Sequence, residues 1–278
     1  AVQGFAGPYI TTLPPSQIFC TINLLLTSSQ LIKICIVKKI KNISILQVIM
    51  YTKSIKNYPK MNINFEKNRE IMIENQLKPN KITDTNILSV FNMISKENFI
   101  SKDKINICYS DQDISVKQAR GYLKNLHLAQ ILYYADIKKH EKVLHIGGLT
   151  GYLSVLIAKL SNEICVTDKD EDCVEHIIKN FKDNEIKNGH VSIQDFSEGL
   201  VEKKPYDLII IDCPQYKINL DLLDQLNVEG RIIYIEKINK ELSKAYKMIK
   251  FENNYSKEFL FDVFSNFYLT SKEEGFNF

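Results

Sequence analysis

Arginine is scarce in this chain: Arg69, Arg120 and Arg231 are the only three among 278 residues. Forked readout of phosphate or guanine is therefore scarcely available, and lysine supplies almost all of the positive charge. Acids are missing altogether from residues 1–60. That segment holds seven lysines and carries +7, and the whole chain carries +3, which leaves 61–278 at −4. A mildly acidic body speaks against nucleic acid as a partner, because such binders present a basic face. The six cysteines (Cys20, Cys35, Cys108, Cys165, Cys173, Cys213) include no CxxC pair. Cys165, Cys173 and Cys213 lie in or beside apolar runs and read as reduced core thiols of a cytoplasmic protein. No stretch of about 18 uninterrupted apolar residues appears, so no membrane span is expected. The apolar patch 18–26 has no basic segment ahead of it, which argues against a secretory signal.

What is present falls into three parts. Residues 1–60 hold four of the seven prolines and show no sustained helical period. They are expected to be a poorly ordered leader, translated from upstream of a start at Met61, or else a basic arm for a membrane surface or partner. Residues 61–140 read as a helical cap on the substrate side. "NFEKNREIMIENQL" carries one buried stripe, Asp84 is placed to cap a second helix, "INICYSD" reads as a short strand and turn, and "NLHLAQILYYA" as a helix. Residues 141–278 alternate strand and helix. Strands are expected at 142–146, 164–167, 191–193, 207–211 and 231–235, and helices at 152–160, 171–184 and 220–226. Runs such as "LIII" suit strands buried on both faces. The tail "KEFLFDVFSNFYLTS" alternates well enough for a closing antiparallel pair. The expected fold is α/β, a doubly wound and mostly parallel sheet with an N-terminal helical cap. Its ligand should lie beyond the carboxyl ends of the first and fourth strands.

The stretch "VLHIGGLTGYLSVLIAKL" (143–160) reads as strand, glycine turn and helix. Gly147, Gly148 and Gly151 let the backbone turn sharply and let a ligand lie against it, facing the amides of the next helix. Asp168, twenty-one residues after Gly147, ends the second strand, where an acid accepts from both ribose hydroxyls. Asp195, after the third strand, is placed to take an adenine amino proton. The three features in register describe an adenosine pocket. "DKDED" mimics the start of a calcium loop but has Cys173 at its sixth position and Lys179 at its twelfth, and Cys173 with His176 lacks a second ligand pair, so no metal is expected.

The loop GGLTG resembles S-adenosylmethionine-dependent methyltransferases more than dehydrogenases, whose loop reads GxGxxG. From Met61 onward the chain resembles one family, protein-L-isoaspartate O-methyltransferase. The matching pieces, in order, are "NREIMIENQL", "ISKENFI", "CYSDQDI", "VLHIGGLTGYLSVLIA", "VTDKD", "PYDLIIID" and "LLDQLNVEGRIIYI". They span about 200 residues, and the collinear set is specific where no single piece is. The resemblance implies S-adenosyl-L-methionine as cofactor, held by Gly147, Gly148, Thr150, Gly151, Asp168 and Asp195 in the domain 141–278. It implies methyl transfer to the carboxylate of isoaspartyl residues in damaged proteins or peptides, by a monomer acting in the cytoplasm without nucleic acid or membrane. The chain departs from the pattern at three places. Leu149 replaces the second loop glycine and puts a β-carbon near the methionine part of the cofactor. His145 replaces the acid that often ends the first strand, and either bonds the cofactor's amino-acid end or simply packs. "RGYL" (120–123) replaces the hydroxyl-bearing Q-T-I-S segment. Arg120 is then a candidate to clasp the substrate carboxylate, and Asp111 a candidate for substrate positioning, each against the plain reading of a surface arginine and a turn-capping aspartate. These departures keep two alternatives open: a degenerate relative that binds cofactor or a partner without isoaspartyl activity, and a methyltransferase with another acceptor, for which "IDCPQY" is a faint sign.

Overall fold

Leu208, Ile209, Ile210 and Ile211 are fully buried although their side chains alternate between faces, because both faces of the sheet are covered. Leu208 and Ile210 join a core with the helical cap, while Ile209 and Ile211 join a second core on the opposite face. A computed structural model of the chain describes residues 63–269. The readings for residues 1–60, with Cys20 and Cys35, lie outside the described residues.

The cap begins with α1 (Phe65–Met72), which runs on as a wider π-helical turn to Leu77. Helix α2 (Thr85–Met93) starts where expected, with Asp84 Oδ1 accepting from the amides of Asn86 and Ile87 at 2.9 Å each. The strand expected in "INICYSD" is instead a 3-10 turn at Ile105–Ile107, since the segment has no neighbouring strand to complete a ladder. A hairpin not foreseen follows, β1 (Ile114–Lys117) and β2 (Arg120–Tyr122), and then α3 (Asn125–Ala135).

The sheet follows in strand–helix alternation: β3 (Lys142–Ile146), α4 (Tyr152–Leu160), β4 (Glu163–Asp168), α5 (Glu171–Asp183), β5 (Gly189–Ile193), β6 (Tyr206–Gln215) and β7 (Leu226–Lys237). The helix expected at 220–226 is a 3-10 helix over Leu220–Gln225. Strands β8 (Leu242–Lys250) and β9 (Tyr255–Phe264) close the chain as an antiparallel pair, of which only the second strand showed in the sequence. The sheet order is β5-β4-β3-β6-β7-β8-β9. Strands β3 to β7 are parallel and β8 runs antiparallel to β7, so the sheet is doubly wound and mostly parallel. The strand order reverses at β3, between β4 and β6, and open α/β sheets bind their ligands in the crevice beyond the carboxyl ends of the strands at such a point. Cap and sheet share one compact unit. No helix among the described residues is long and apolar enough to cross a membrane.

Polar groups stitch the cap to the sheet. Arg231 on β7 donates a forked pair to Glu141 (2.7 and 2.9 Å) and further bonds to the carbonyls of Ala135 (2.6 Å) and Asp136 (3.0 Å) at the end of α3. Lys96 has no exposed surface; its Nζ donates to Asn125 Oδ1 at 2.7 Å and lies 5.5 and 5.4 Å from the ring centres of Tyr122 and Tyr152. Burial pulls the Lys96 ammonium down from 10.5 to about 7. Between those values the unfolded chain holds a proton that the folded chain does not, so this residue makes stability rise with pH across that window. In urea titrations at pH 6, 7.5 and 9, Lys96→Met is expected to flatten that rise, with the variant gaining most over the parent at pH 6. An unchanged pH slope would show that Lys96 keeps its proton in the fold.

Candidate functional site

Gly147 follows β3 with φ +82°, a left-handed turn that glycine adopts without steric cost. Its amide and that of Gly148 donate to the Thr167 carbonyl at 2.8 and 3.3 Å, tying the loop to β4. Gly148 answers a different need, close approach: a β-carbon there would lie 2.5 Å from Val166 Cγ1 and 2.9 Å from Ile177 Cδ1. Leu149, at φ +57°, sits in the backbone region where the family has glycine. Its side chain is buried in the core that the sheet shares with the cap. Its amide donates to Asp168 Oδ2 at 3.0 Å. Gly151, at φ +89°, opens α4.

Asp168 ends β4 with no exposed surface and accepts four hydrogen bonds. The amides of Leu149 and Asp170 supply two, at 3.0 Å each. Arg120 supplies the others as a fork, Nη1 to Oδ1 at 3.0 Å and Nη2 to Oδ2 at 2.5 Å. The same guanidinium reaches Asp170 Oδ2 at 2.9 Å and lies 4.8 Å from the ring centre of Phe196. Burial alone would pull Arg120 down, but the hydrogen bond to Asp168 overrides it and holds the guanidinium above its ordinary value. Removing one partner of such a buried pair typically costs about 3–5 kcal/mol. Arg120 is thus committed to the acid that ends β4 and is not turned outward to clasp a substrate carboxylate. A carboxylate–thiol cluster of Asp168, Asp170 and Cys173 has its ligand atoms within 4.8 Å of one another, but Arg120 already compensates its charge.

The remaining candidates lie around this centre. His145 is buried and fully partnered, Nδ1 with Ser154 Oγ at 2.8 Å and Nε2 with Asp212 Oδ1 at 3.2 Å. Ser154 has no exposed surface, so this Ser–His–Asp trio is an internal polar network and not an accessible nucleophile. Thr150 donates to the Phe99 carbonyl at 2.9 Å and pairs with the Tyr122 hydroxyl, so its hydroxyl ties the loop to the cap. Asp195 is exposed and folds back on Ser197, whose amide and hydroxyl hold its carboxyl below the usual range. Asp111 is exposed, 3.5 Å from Lys124, and lines a cleft with Asp113 and Ser265. The four described cysteines are buried and free, as core thiols. Asp212, Phe196 and Leu269 join the group through contacts distant in sequence, with His145, Arg120 and Gly147. Only Asp212 carried a signal, an acid closing the apolar run "LIIID" as Asp168 closes "ICVTD".

The donor set fits an adenosine-bearing group: a glycine cradle, a buried acid after the second sheet strand, a second acid after the third, and the amino end of α4. The cradle itself is lined from within the chain. A β-carbon built on Gly147 would lie 3.1 Å from Leu269 Cδ1 and 3.8 Å from Arg120 Nη2.

Such a loop and acid on such a sheet define an α/β protein of the cofactor-dependent methyltransferase type. The family model described as Protein-L-isoaspartate(D-aspartate) O-methyltransferase (PCMT) matches residues 66–264, and the chain belongs to that family. It is 31% identical over 170 residues to the protein-L-isoaspartate O-methyltransferase of Brucella anthropi, covering 61% of this chain and 78% of the relative. It is 24% identical over 196 residues to that of Petrotoga mobilis, covering 70% and 92%. Its fold matches the crystal structure of a putative protein-L-isoaspartate O-methyltransferase from Plasmodium falciparum in complex with S-adenosyl-L-homocysteine, with a TM-score of 0.62 at 19% identity over 75% of this chain and 99% of that one.

The contact of Gly148 with Val166 makes the loop's position a packing constraint. Gly148→Ala is expected to lower the unfolding free energy by about 1–3 kcal/mol through overpacking. Chemical denaturation checks this, and an unchanged midpoint would mean that β3 and β4 separate freely at this point.

Proposed function

We propose that this protein transfers the methyl group of S-adenosyl-L-methionine to the carboxylate of isoaspartyl residues in damaged proteins, acting in the cytoplasm as a monomer. The observation that carries the reading is Asp168: a carboxylate with no exposed surface, at the carboxyl end of the strand after the glycine turn, where the strand order reverses. Membership of the family supplies the substrate class. The cofactor, when bound, supplies an electrophilic methyl group on a sulfonium. The acceptor carboxylate is ionised at neutral pH, so the protein's task is to hold it in line and exclude water rather than to move protons.

On this reading Asp168 takes the ribose hydroxyls, Gly147 and Gly151 let the backbone lie against the cofactor, and Asp195 faces the adenine. His145 acts through Asp212: the pair, hydrogen-bonded at 3.2 Å, brings a carboxylate from β6 to the end of β3, where the family often has its acid. Asp111 lines a cleft about 400 Å³ in volume with Asp113, Lys124, Glu241 and Ser265, and belongs to acceptor positioning. A second reading, cofactor binding without isoaspartyl turnover, is favoured by one observation: the segment 120–123 offers no aliphatic hydroxyl, and its arginine is bound to Asp168.

The two readings separate in one assay. Transfer of radiolabelled methyl from S-adenosylmethionine to an isoaspartyl peptide, with none to the aspartyl peptide of the same sequence, is the expected outcome. Background counts from a sample that binds cofactor would favour the second reading. Asp168→Asn is expected to weaken S-adenosylhomocysteine binding at least tenfold in calorimetric titration. Unchanged affinity in the folded variant would remove Asp168 from the pocket.

A further inference from the structure

Arg120 is a buried cation at the start of β2. It stands where the family resemblance expects glutamine, and its fork covers the carboxylate that the proposed function gives to ribose. It also covers the face of Phe196, a ring that is 1% exposed. Leu269 lies in the Gly147 cradle beside it.

These two side chains belong to one linked piece of structure. Gly121, next to Arg120 on β2, touches Phe267 so closely that a β-carbon there would lie 2.4 Å from its ring. The amide of Tyr268 donates to the Ala119 carbonyl at 3.0 Å, and that of Leu269 to the Pro214 carbonyl at 2.7 Å. The hairpin and the segment after β9 are therefore strapped together over the carboxyl ends of β3 and β6. Withdrawing Arg120 from Asp168 need not strand its charge, because Nη1 already touches Asp170, whose side chain is 29% exposed. Lys117, on the other strand of the hairpin, pairs with the same acid at 3.5 Å and with Asp172 at 3.3 Å.

We propose that Arg120 is an internal competitor for the cofactor site, and so the residue that sets cofactor affinity. Its guanidinium and the ribose hydroxyls contend for Asp168, and binding shifts Arg120 onto Asp170 while Leu269 leaves the glycine cradle with the strap. This rests on the reading of Asp168 given under the proposed function. A ligand that must first displace a bonded group binds more weakly by the population of the open form. A purely structural staple would behave oppositely, since its loss loosens the pocket and lowers affinity.

The test is calorimetric titration of S-adenosylhomocysteine into the full chain and into Arg120→Ala, Arg120→Gln and Leu269→Ala, with circular dichroism to confirm folding. Arg120→Ala is expected to bind at least tenfold tighter than the parent, although its unfolding midpoint without ligand is lower. Arg120→Gln, which restores the expected family residue and keeps a hydrogen bond to Asp168, should fall between the two. Leu269→Ala leaves the ion pair intact and should tighten binding several-fold. In an Asp168→Asn background the gain from Arg120→Ala should vanish, because the contested carboxylate is gone. Equal or weaker binding in folded Arg120→Ala, or in Arg120→Gln if the alanine variant does not fold, overturns the competitor role and leaves the methyltransferase reading standing. Absence of binding in every folded form overturns the reading of the pocket itself, and the competitor role with it.

Discussion

One buried carboxylate organises the carboxyl edge of this sheet around the glycine loop. Asp168 is removed from water at the end of β4, and a charge so placed persists only if its lone pairs are met. Two backbone amides and both ends of one guanidinium meet them. Each donor arrives for a different structural reason. The Leu149 amide points inward because the loop turns left-handed, the Asp170 amide because the chain bends into α5, and Arg120 because a short hairpin crosses above the sheet. The loop, the helix start and the hairpin are thereby mutually positioned by a single small side chain that buries little apolar surface of its own.

The cap and the sheet are joined by the same logic carried out with weaker groups. Thr150 and Tyr122 pair across the boundary, the Tyr152 amide donates to the Tyr122 hydroxyl at 3.1 Å, and Lys96 lies between the two tyrosine rings. These are polar atoms inside a hydrophobic interface, satisfied by one another, and they specify one way of seating the cap where apolar packing alone would accept several. Thr150 belongs to this seam. The hydroxyl of this loop residue thus anchors the loop to the cap.

Departures from the family pattern differ in their physical weight. Leu149 keeps the left-handed backbone that glycine would adopt more readily, and balances that strain by burying its side chain in the core. His145 is absorbed by Ser154 and Asp212 without leaving an unpaired polar atom. Arg120 alone changes the charge at the end of β4, because it brings a permanent positive charge onto Asp168.

Most of the parallel sheet was legible in the order of residues, because apolar runs of strand length between amphipathic helices leave few other folds. Strand β3 and helices α3 and α4 lie where the pattern places them, and Asp168 and Gly147 stand in register because turn and strand end are local features. The 3-10 turn at Ile105–Ile107, the β1–β2 hairpin and strand β8 were not legible, since each depends on which neighbour is present to receive its backbone bonds. The sequence by itself determined the fold class and the elements of the glycine loop. Only the tertiary structure decided what Arg120 and Leu269 do. Arg120 meets Asp168 across 48 positions and Leu269 meets Gly147 across more than a hundred, and no local pattern records which distant side chain arrives at a buried charge or an open cradle.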